Sequence, residues 1–247
     1  ALSQDAIEGL DVVLSSAGSS GSSEWAPRIA EAGAVVVDNT SYWRMHDDVP
    51  LIVAQVNDDA VEGHNGIIAN PNCTTMQLMV ALKPIHDAAR LERLIVSTYQ
   101  SVSGTGREAI KELREESRAI LDGKRAEPKV FPHQVAFNVL PQVEQFLDGD
   151  DYTTEERKVM AETRKILDLD ESVGISSTCV RVPVVTGHSE SVNVQTKRDL
   201  SPEDCRELLS ESPGLVVLDD PGAGIYPLPI AVEGRDDDLH AFHGFTG

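Results

Sequence analysis

The sequence predicts an α/β protein in which a doubly wound parallel sheet is followed by an α+β domain with a mixed sheet. Apolar runs at residues 12–14 and 34–37 flank a helical pattern at residues 24–32. Strand, helix and strand in this order are typical of a buried parallel sheet covered by helices. Beyond residue 90 the pattern changes to longer amphipathic helices followed by several strands, which is typical of an α+β domain.

Length and charge limit the classes of protein that this chain can belong to. Its 247 residues, with 40% hydrophobic and 25% charged content, are enough for two modest globular domains. A formal net charge of −20 opposes binding to nucleic acid and to anionic membranes, because both partners need a basic surface. No apolar run is long enough to cross a bilayer, and the first residues have no leader pattern, so we expect a cytoplasmic protein.

The first half of the chain contains the predicted parallel strands and two helices. The run at residues 11–14 predicts a strand, and the following helix is expected to stop at Gly33. The nearly all-apolar pattern at residues 76–82 predicts a short buried helix that ends before Pro84. Cys73 lies at its N-terminus, and we place the domain boundary near Asn72, between residues 1–72 and 73–247.

Two amphipathic helices and several strands are predicted in the second half. A helix at residues 106–121 should turn Ile110, Leu113, Ser117 and Leu121 to one side and its Arg and Glu residues to solvent. A capping-box spacing at residues 153–156 predicts a second helix that runs to about residue 167. The predicted strands are residues 94–99, 175–185, 191–197 and 215–218.

Cys73 is the candidate nucleophile. Cys179 and Cys205 are far from it in sequence and no Cys-x-x-Cys pair is present, which argues against a disulfide framework and a structural zinc site. The positive end of a helix favours a thiolate, and free amide groups there can hold an oxyanion, so the position suits acyl transfer. The alternative is that Cys73 is only a small apolar side chain beside a buried helix.

Three polar residues near predicted strand ends could act on a substrate. Gln100 follows the strand at residues 94–99, although an exposed loop amide is an alternative. Arg181 could bind a carboxylate through its planar fork, or be an ordinary salt-bridge partner. His188 could transfer protons because its pKa lies near neutrality, or be a solvated turn residue.

Weaker signals concern charge pairs, phosphate and metal. Glu162 and Lys165 could contact the ammonium and phosphate of one substrate, or form a surface ion pair. The small residues Ser16, Ala17, Gly18 and Ser19 could lie along a dinucleotide, although no G-x-G-x-x-G is present. His240 and His243 have metal-ligand spacing without a convincing third ligand, so we expect no metal.

Taken together, six segments resemble the aspartate-semialdehyde dehydrogenase family in its bacterial form. The most specific segment reads Asn-Pro-Asn-Cys-Thr-Thr at residues 70–75. The others are residues 16–20, 37–41, 100–104, 132–138 and 181–190. The resemblance runs along almost the whole chain and implies a partial Rossmann-like cofactor domain, followed by a catalytic and dimerisation domain.

The resemblance also implies roles for individual residues. It makes Cys73 the nucleophile, Gln100 the group that orients the acyl carbon, and His188 the general acid and base. It implies that the substrate is bound by Arg181 at its carboxylate, by Glu162 at its amino end, and by Arg44 and Lys165 at its phosphate. The implied cofactor contacts are Ser16, Ala17, Gly18, Ser19, Asn39, Ser103 and Gly104.

The implied reaction is the NADPH-dependent reductive dephosphorylation of aspartyl 4-phosphate to aspartate semialdehyde, by a homodimer or homotetramer. The family begins with a strand and a glycine-rich loop upstream of Ala1 and closes with a helix beyond Gly247, so we expect a chain truncated at both ends. Two alternatives are N-acetyl-γ-glutamyl-phosphate reductase, which shares the thioacyl chemistry, and a non-catalytic subunit that serves only as an interaction module.

Overall fold

The structure is a computed structural model that describes residues 3–232 and 240–242. The chain divides into two compact units. The first unit contains the residues up to 83 together with 161–170, and the second contains residues 84–160 together with those from 171 onward. The domain boundary expected near Asn72 stays a prediction.

The first unit contains the predicted parallel sheet. Its strands are β1 (Val12–Ser15), β2 (Val35–Asp38) and β3 (Ile67–Ala69), in the order β1-β2-β3 and all parallel. Helix α1 (Ser19–Glu31) lies between β1 and β2 in sequence and packs mainly against β2. The fully buried Val36 of β2 lies in the core of this unit. Strand, helix and strand therefore form the parallel unit that their apolar pattern predicts.

Helix α1 begins five residues before its predicted start. Gly18 takes a left-handed φ of 80° before the first helical residue, and its carbonyl accepts the Ser22 amide at 2.9 Å. Ser22, Ala26 and Ile29 share the buried face. The serine-rich segment before the predicted start therefore forms the first turn, where serine is well tolerated.

The predicted end of the second helix before Pro84 is wrong. Helix α2 runs through Pro84 as Cys73–Ala89. Leu82, Ile85 and Ala89 are all buried on either side of the proline. Burial of this apolar face offsets the single backbone hydrogen bond that a proline removes, so packing overrides the local preference.

A mixed three-stranded sheet forms the second unit's framework, as predicted. Strand β4 (Leu91–Gln100) lies between β5 (Gly174–Arg181), to which it is parallel, and β6 (Ser189–Thr196), to which it is antiparallel. Gln100 pairs in register with Arg181 at the end of both parallel strands. The turn that leads from β5 to β6 carries His188, so the sheet brings three of the candidate residues to one edge.

Three further elements follow the sequence predictions, and they are α3 (Arg107–Leu121), α4 (Thr154–Ile166) and β7 (Leu215–Val217). Three others were not predicted, and they are α5 (Pro202–Ser210), α6 (Pro229–Val232) and β8 (His240–Phe242). Strand β7 pairs in parallel with β8. Helix α5 was not predicted, although Ser201 caps it and Pro202 occupies its first turn, both of which are helix start signals. None of the described helices is long and apolar enough to span a bilayer.

The capping box of α4 forms as predicted. The Thr153 amide donates to Glu156 Oε2 at 2.7 Å, and the Glu156 amide donates to Thr153 Oγ1 at 3.3 Å. Glu156 Oε1 also accepts the backbone amide of Cys179 in β5 at 2.9 Å. The same carboxylate therefore starts the helix and attaches it to the sheet.

The solvent face expected on helix α3 is only partly correct. Glu112 and Glu116 are buried, whereas Leu121, assigned to the apolar stripe, is 77% exposed. Glu112 accepts the backbone amides of residues 129, 130 and 131 at 2.7, 2.6 and 3.1 Å. Glu116 Oε2 accepts those of Val135 and Ala136 at 2.9 and 3.0 Å. The two carboxylates fix the segment that follows the helix, and this segment completes the core around α3.

We predict that Glu112→Ala lowers the free energy of unfolding by about 2–3 kcal/mol, because three backbone amides lose the buried carboxylate that accepts their hydrogen bonds. Urea denaturation measures the change. The control is Glu115→Ala on the exposed side of the same helix, for which the change should stay within about 0.5 kcal/mol. Equal effects in the two variants would contradict a structural role for the buried carboxylate.

Candidate functional site

Cys73 is the exposed thiol among the three cysteines. It is the first residue of α2, while Cys179 and Cys205 are buried. Burial raises the pKa of each of these two thiols to about 11, which keeps them protonated and unreactive near neutral pH. Cys73 is exposed, so it is not packed into the core, and its role as the nucleophile stays a prediction.

Asn72 caps the helix that begins with Cys73. Its Oδ1 accepts the amides of Thr74 and Thr75 at 3.0 and 3.4 Å, and also the Thr74 hydroxyl. The expectation of free amides that could hold an oxyanion therefore fails at these two positions. These hydrogen bonds instead fix the orientation of the first helical turn relative to Asn72.

Glu162 connects Asn72 to Arg44 inside the first unit. One carboxylate oxygen accepts Arg44 Nη1 at 2.9 Å and the other accepts the Asn72 amide at 2.6 Å. Arg44 Nη2 also donates to the carbonyl of Asn39 at 3.0 Å. Glu162 is only 1% exposed, so the alternative of a surface ion pair with Lys165 is wrong. A buried charge network thus holds the residue next to the candidate nucleophile.

Lys165 holds the loop that carries Arg44. Its ammonium donates to the carbonyls of Arg44, His46 and Val49 at 2.9, 2.6 and 2.9 Å. Three bonds use all the protons of an ammonium. Burial lowers the pKa of Lys165, and the nearby carboxylates of Asp47 and Asp48 partly oppose this shift. In this arrangement Lys165 supports Arg44 through the backbone.

Gln100 is the fixed polar side chain at the end of β4. It is 1% exposed, so the alternative of an exposed loop amide is wrong. Its Oε1 accepts the Thr98 hydroxyl at 3.0 Å, and its Nε2 donates to Glu155 Oε1 at 2.9 Å. Beside it in the sheet, the buried Arg181 donates through Nη1 to the carbonyl of Ser101.

His188 is half-buried and held in one orientation. The Ser101 amide donates to His188 Nδ1 at 3.0 Å, and the Ser101 hydroxyl lies 3.2 Å from the same nitrogen. An imidazole nitrogen that accepts a backbone amide carries no proton, so the neutral ring has its proton on Nε2. Burial, and then the positive charge of Arg181, lower the pKa of His188 to about 4. The ring is therefore neutral near pH 7.

Gly104 gives the imidazole its space. A Cβ at this position would lie 3.4 Å from both Cε1 and Nε2 of His188, and 3.6 Å from Arg181 Nη1. The first two distances lie at the short end of van der Waals contact, so a Cβ here would touch the ring. Ser103, the preceding residue, has its hydroxyl 3.1 Å from that of Ser101.

The candidate cofactor residues of the first unit lie at the carboxyl ends of β1 and β2. Ser16, Ala17, Gly18 and Ser19 connect β1 to α1, and the Ser19 hydroxyl lies 3.4 Å from that of Ser41. Asn39 directly follows β2, and its Oδ1 accepts Asn70 Nδ2 at 2.7 Å. Ligands of parallel α/β sheets bind at this edge. A Cβ on Gly18 would meet no atom within 4 Å, so the backbone of this turn is open to a ligand.

The structure groups the candidate residues by unit. In the first unit, hydrogen bonds link Asn39, Arg44 and Glu162 to the residue before Cys73. Lys165 joins the same group through the backbone carbonyl of Arg44. In the second unit, the sheet brings together Gln100, Arg181 and His188, and Gly104 lies next to the imidazole of His188. Sequence reasoning did not find the residues that hold them, which are Thr98, Ser101, Glu155 and the capping Asn72. For only one of these residues does the sequence contain a signal, because the capping box places Glu155 in the first turn of α4.

The two histidines with metal-ligand spacing, for which we expect no metal, lie near the end of the chain. His243 and the side chain of His240 lie outside the described residues. Within the described part, no group of three His, Cys, Asp or Glu side chains could hold a metal ion.

A parallel sheet with an exposed cysteine, together with a mixed sheet that carries Gln, Arg and His, is compatible with a dehydrogenase of the semialdehyde class. Two family models show that the chain belongs to this class. Residues 1–64 match the NAD binding domain of semialdehyde dehydrogenases, and residues 82–240 match their dimerisation domain. Asn72, where we expect the boundary, lies between the two matches.

Individual relatives narrow the class. Aspartate-semialdehyde dehydrogenase from Aquifex aeolicus is 51% identical over 238 residues, which cover 95% of this chain and 69% of the relative. The Bacillus subtilis protein of the same name is 45% identical, covering 98% of this chain and 74% of the relative. This chain therefore belongs to the aspartate-semialdehyde dehydrogenase family, as the six segments predicted.

Solved structures support the same fold. The crystal structure of aspartate semialdehyde dehydrogenase II from Vibrio cholerae complexed with ASA has a TM-score of 0.87 and 43% identity, covering 92% of this chain and 67% of that one. Aspartate semialdehyde dehydrogenase with NADP from Candida albicans has a TM-score of 0.68 at 25% identity, covering 93% and 66%.

We predict that His188→Asn makes folding stability less sensitive to acid. The folded pKa of about 4 lies below the ordinary value of 6.5, so the unfolded chain takes up this proton first as the pH falls. Stability from neutral His188 is present above pH 6.5 and is lost towards pH 4. Asparagine keeps an acceptor for the Ser101 amide but does not titrate.

Melting temperatures recorded between about pH 7 and about pH 5 measure this difference. The control is His133→Asn, at an exposed position, which should keep the acid sensitivity of the unaltered protein. If His188→Asn and His133→Asn respond alike to acid, the imidazole is not held neutral in the folded protein.

Proposed function

We propose that this chain catalyses the NADPH-dependent reductive dephosphorylation of L-aspartyl 4-phosphate to L-aspartate 4-semialdehyde, a step in the biosynthesis of lysine, threonine, methionine and diaminopimelate. The observation that carries the proposal is the exposed Cys73 at the N-terminus of α2, next to a residue held by a buried Glu162–Arg44 pair. The names of the 51% and 45% identical relatives support the substrate.

Cys73 performs covalent catalysis. Its thiolate forms a C–S bond at the acyl carbon, the C–O bond to phosphate breaks, and phosphate leaves with the electron pair. NADPH, when bound, supplies the hydride that reduces the thioester carbonyl. The C–S bond then breaks, the semialdehyde is released and the thiolate is restored. The positive end of α2 stabilises the thiolate at the start and at the end of the cycle.

His188 acts through Nε2. With Nδ1 held by the Ser101 amide, the neutral ring presents an Nε2 proton that can be donated to an oxygen on which negative charge develops. To take up a proton on Nδ1, the ring would have to give up this hydrogen bond. We therefore assign His188 as a donor during reduction, and as an acceptor through Nε2 once its proton has been transferred.

Arg44 and Arg181 supply positive charge for the anionic groups of the substrate. Arg44 Nε is buried and has no hydrogen-bond partner among the described residues, which fits a guanidinium that receives an anion such as the phosphate group. Lys165, whose protons are donated to carbonyls, contributes by holding the loop of Arg44 and by its charge. Arg181 binds the substrate carboxylate, Glu162 receives its ammonium, and Gln100 orients the acyl group.

The cofactor assignment to NADP rests on the resemblance and on the fit of two turns. The open Gly18 turn at the positive end of α1 suits a phosphate, and Asn39 lies at the same sheet edge. Ser103 and Gly104 supply the contacts of the second unit. A relative from Candida albicans with NADP supports this cofactor over NAD.

The proposal also includes a homo-oligomer and a cytoplasmic location. A match to a dimerisation domain over residues 82–240 supports a homodimer, and pairing of dimers would give the homotetramer expected as the alternative. A cytoplasmic location is supported by three cysteines that all remain outside disulfides.

We predict that Cys73→Ala abolishes phosphate-dependent NADP reduction with aspartate semialdehyde, because no other exposed thiol is available among the three cysteines. A spectrophotometric assay of the purified protein measures the rate. Cys205→Ala is the matched control, since this buried thiol has a raised pKa, and it should retain most of the activity. Turnover of the Cys73 variant at the rate of the unaltered protein would disprove the assignment.

We also predict that aspartate semialdehyde is oxidised faster than N-acetyl-glutamate semialdehyde, because the acetylated substrate has no ammonium for the Glu162 carboxylate. Comparison of kcat/KM for the two aldehydes measures this preference. A higher value for the acetylated substrate would favour the reductase alternative. A titration with NADPH addresses the non-catalytic alternative, which predicts no saturable binding.

A further inference from the structure

We infer that Glu155 is a positioning residue for catalysis, which fixes the side-chain amide of Gln100 in a single orientation. This inference rests on the proposed function, since it assigns Gln100 to the acyl group. Glu155 lies in the first turn of α4 and is 4% exposed. Its Oε1 accepts Gln100 Nε2 at 2.9 Å, 55 residues away in sequence.

Strand geometry places Gln100 over α4. Thr98 and Gln100 are two residues apart, so both side chains lie on the same face of β4, where both are buried. Glu156, the neighbour of Glu155, bonds the backbone of β5 beside this face. Two consecutive glutamates at the start of one helix thus contact two adjacent strands, and only Glu155 reaches a side chain that the mechanism uses.

The orientation of the Gln100 amide depends on the charge of Glu155. A side-chain amide can rotate by half a turn and exchange the positions of its oxygen and nitrogen. The Thr98 hydroxyl is compatible with both arrangements, because it can donate to the oxygen or accept from the nitrogen. A carboxylate can only accept, so the nitrogen of Gln100 must face Glu155 and the oxygen must face Thr98. Of its two partners, Thr98 and Glu155, only Glu155 therefore excludes the reversed amide.

The surroundings of Glu155 hold it in place. It lies in the first turn of α4. Its second oxygen is 3.6 Å from Lys158 Nζ, and Lys158 also pairs with Glu144. The charge of Glu155 is thus balanced on one side by the ammonium and used on the other to hold Gln100. One N–H of the Gln100 amide is committed to Glu155, and the orientation of the other is fixed with it.

The test is Glu155→Gln, which keeps the size of the side chain and removes the charge. We expect kcat to fall about tenfold to a hundredfold, because the amide of Gln100 can then adopt both orientations. The KM values for phosphate and NADP should stay within about twofold, since Glu155 is not among the residues proposed to bind either ligand. The matched control is Glu144→Gln, which also removes a partner of Lys158 but does not contact Gln100, and it should leave kcat unchanged.

A double-mutant cycle separates positioning from general support of the fold. In a Gln100→Ala background, Glu155→Gln should have no further effect on kcat, because the group that it orients is gone. An equal loss in both backgrounds would overturn the inference, and so would a Glu155→Gln enzyme with the kcat of the Glu144→Gln enzyme. Absence of turnover in the unaltered protein would instead contradict the proposed function.

A measurement on the unaltered protein applies even if Glu155→Gln does not fold. The side-chain amide of Gln100, observed by NMR with nitrogen labelling, should show slow proton exchange and two distinct, well-dispersed protons because Glu155 and Thr98 hold it. Rapid exchange with the shifts of a free amide would show that Glu155 does not hold the group, and would overturn the inference whatever the activity.

Discussion

The structure depends on buried carboxylates that are satisfied by groups distant in sequence. Three glutamates of α4 are buried, and each is hydrogen-bonded within its own unit. In the second unit Glu155 holds Gln100 and Glu156 holds the backbone of β5. In the first unit Glu162 joins Arg44 to the amide of Asn72. A buried charge that loses its partner is strongly unfavourable, so these contacts fix the positions of the groups they bind.

The same constraint explains which chemistry each unit can perform. Asn72 is held by Glu162 and caps the helix of Cys73, so the candidate nucleophile belongs to a first turn that is held in place. At the end of β4 and β5, Gln100 and Arg181 are fixed by side-chain and backbone bonds, and the Ser101 amide decides which nitrogen of His188 carries the proton. Rigid groups of this kind stabilise developing charge without reorganisation.

Local patterns predicted much of the fold. Strands β1 and β2 of the first unit, the mixed sheet and the capping box of α4 follow from signals within a few residues, and the structure confirms them. Strand β3 was not predicted. The failures have non-local causes. Helix α2 passes through Pro84 because both flanks are buried, and Glu112 is buried because backbone amides about 20 residues away need an acceptor.

The candidate residues could be located in sequence, but their partners could not. Cys73, Gln100 and His188 stand at recognisable ends of helices and strands, which is why their types and positions indicate acyl chemistry. Their environment depends on contacts across 118 residues from Arg44 to Glu162 and 87 residues from Ser101 to His188. No periodicity or motif within one segment reports such pairs, so the neutral His188 became visible only in the folded chain.

The most direct test of this account is mass spectrometry of the protein after it is mixed with aspartate semialdehyde and NADP in the absence of phosphate. Under these conditions hydride is removed but no acyl acceptor other than water is present, so the thioester should accumulate. The account predicts an aspartyl adduct on the proteolytic peptide that contains Cys73, which disappears when phosphate is added. Reduction of NADP without an adduct on Cys73, or an adduct on another residue, would contradict it.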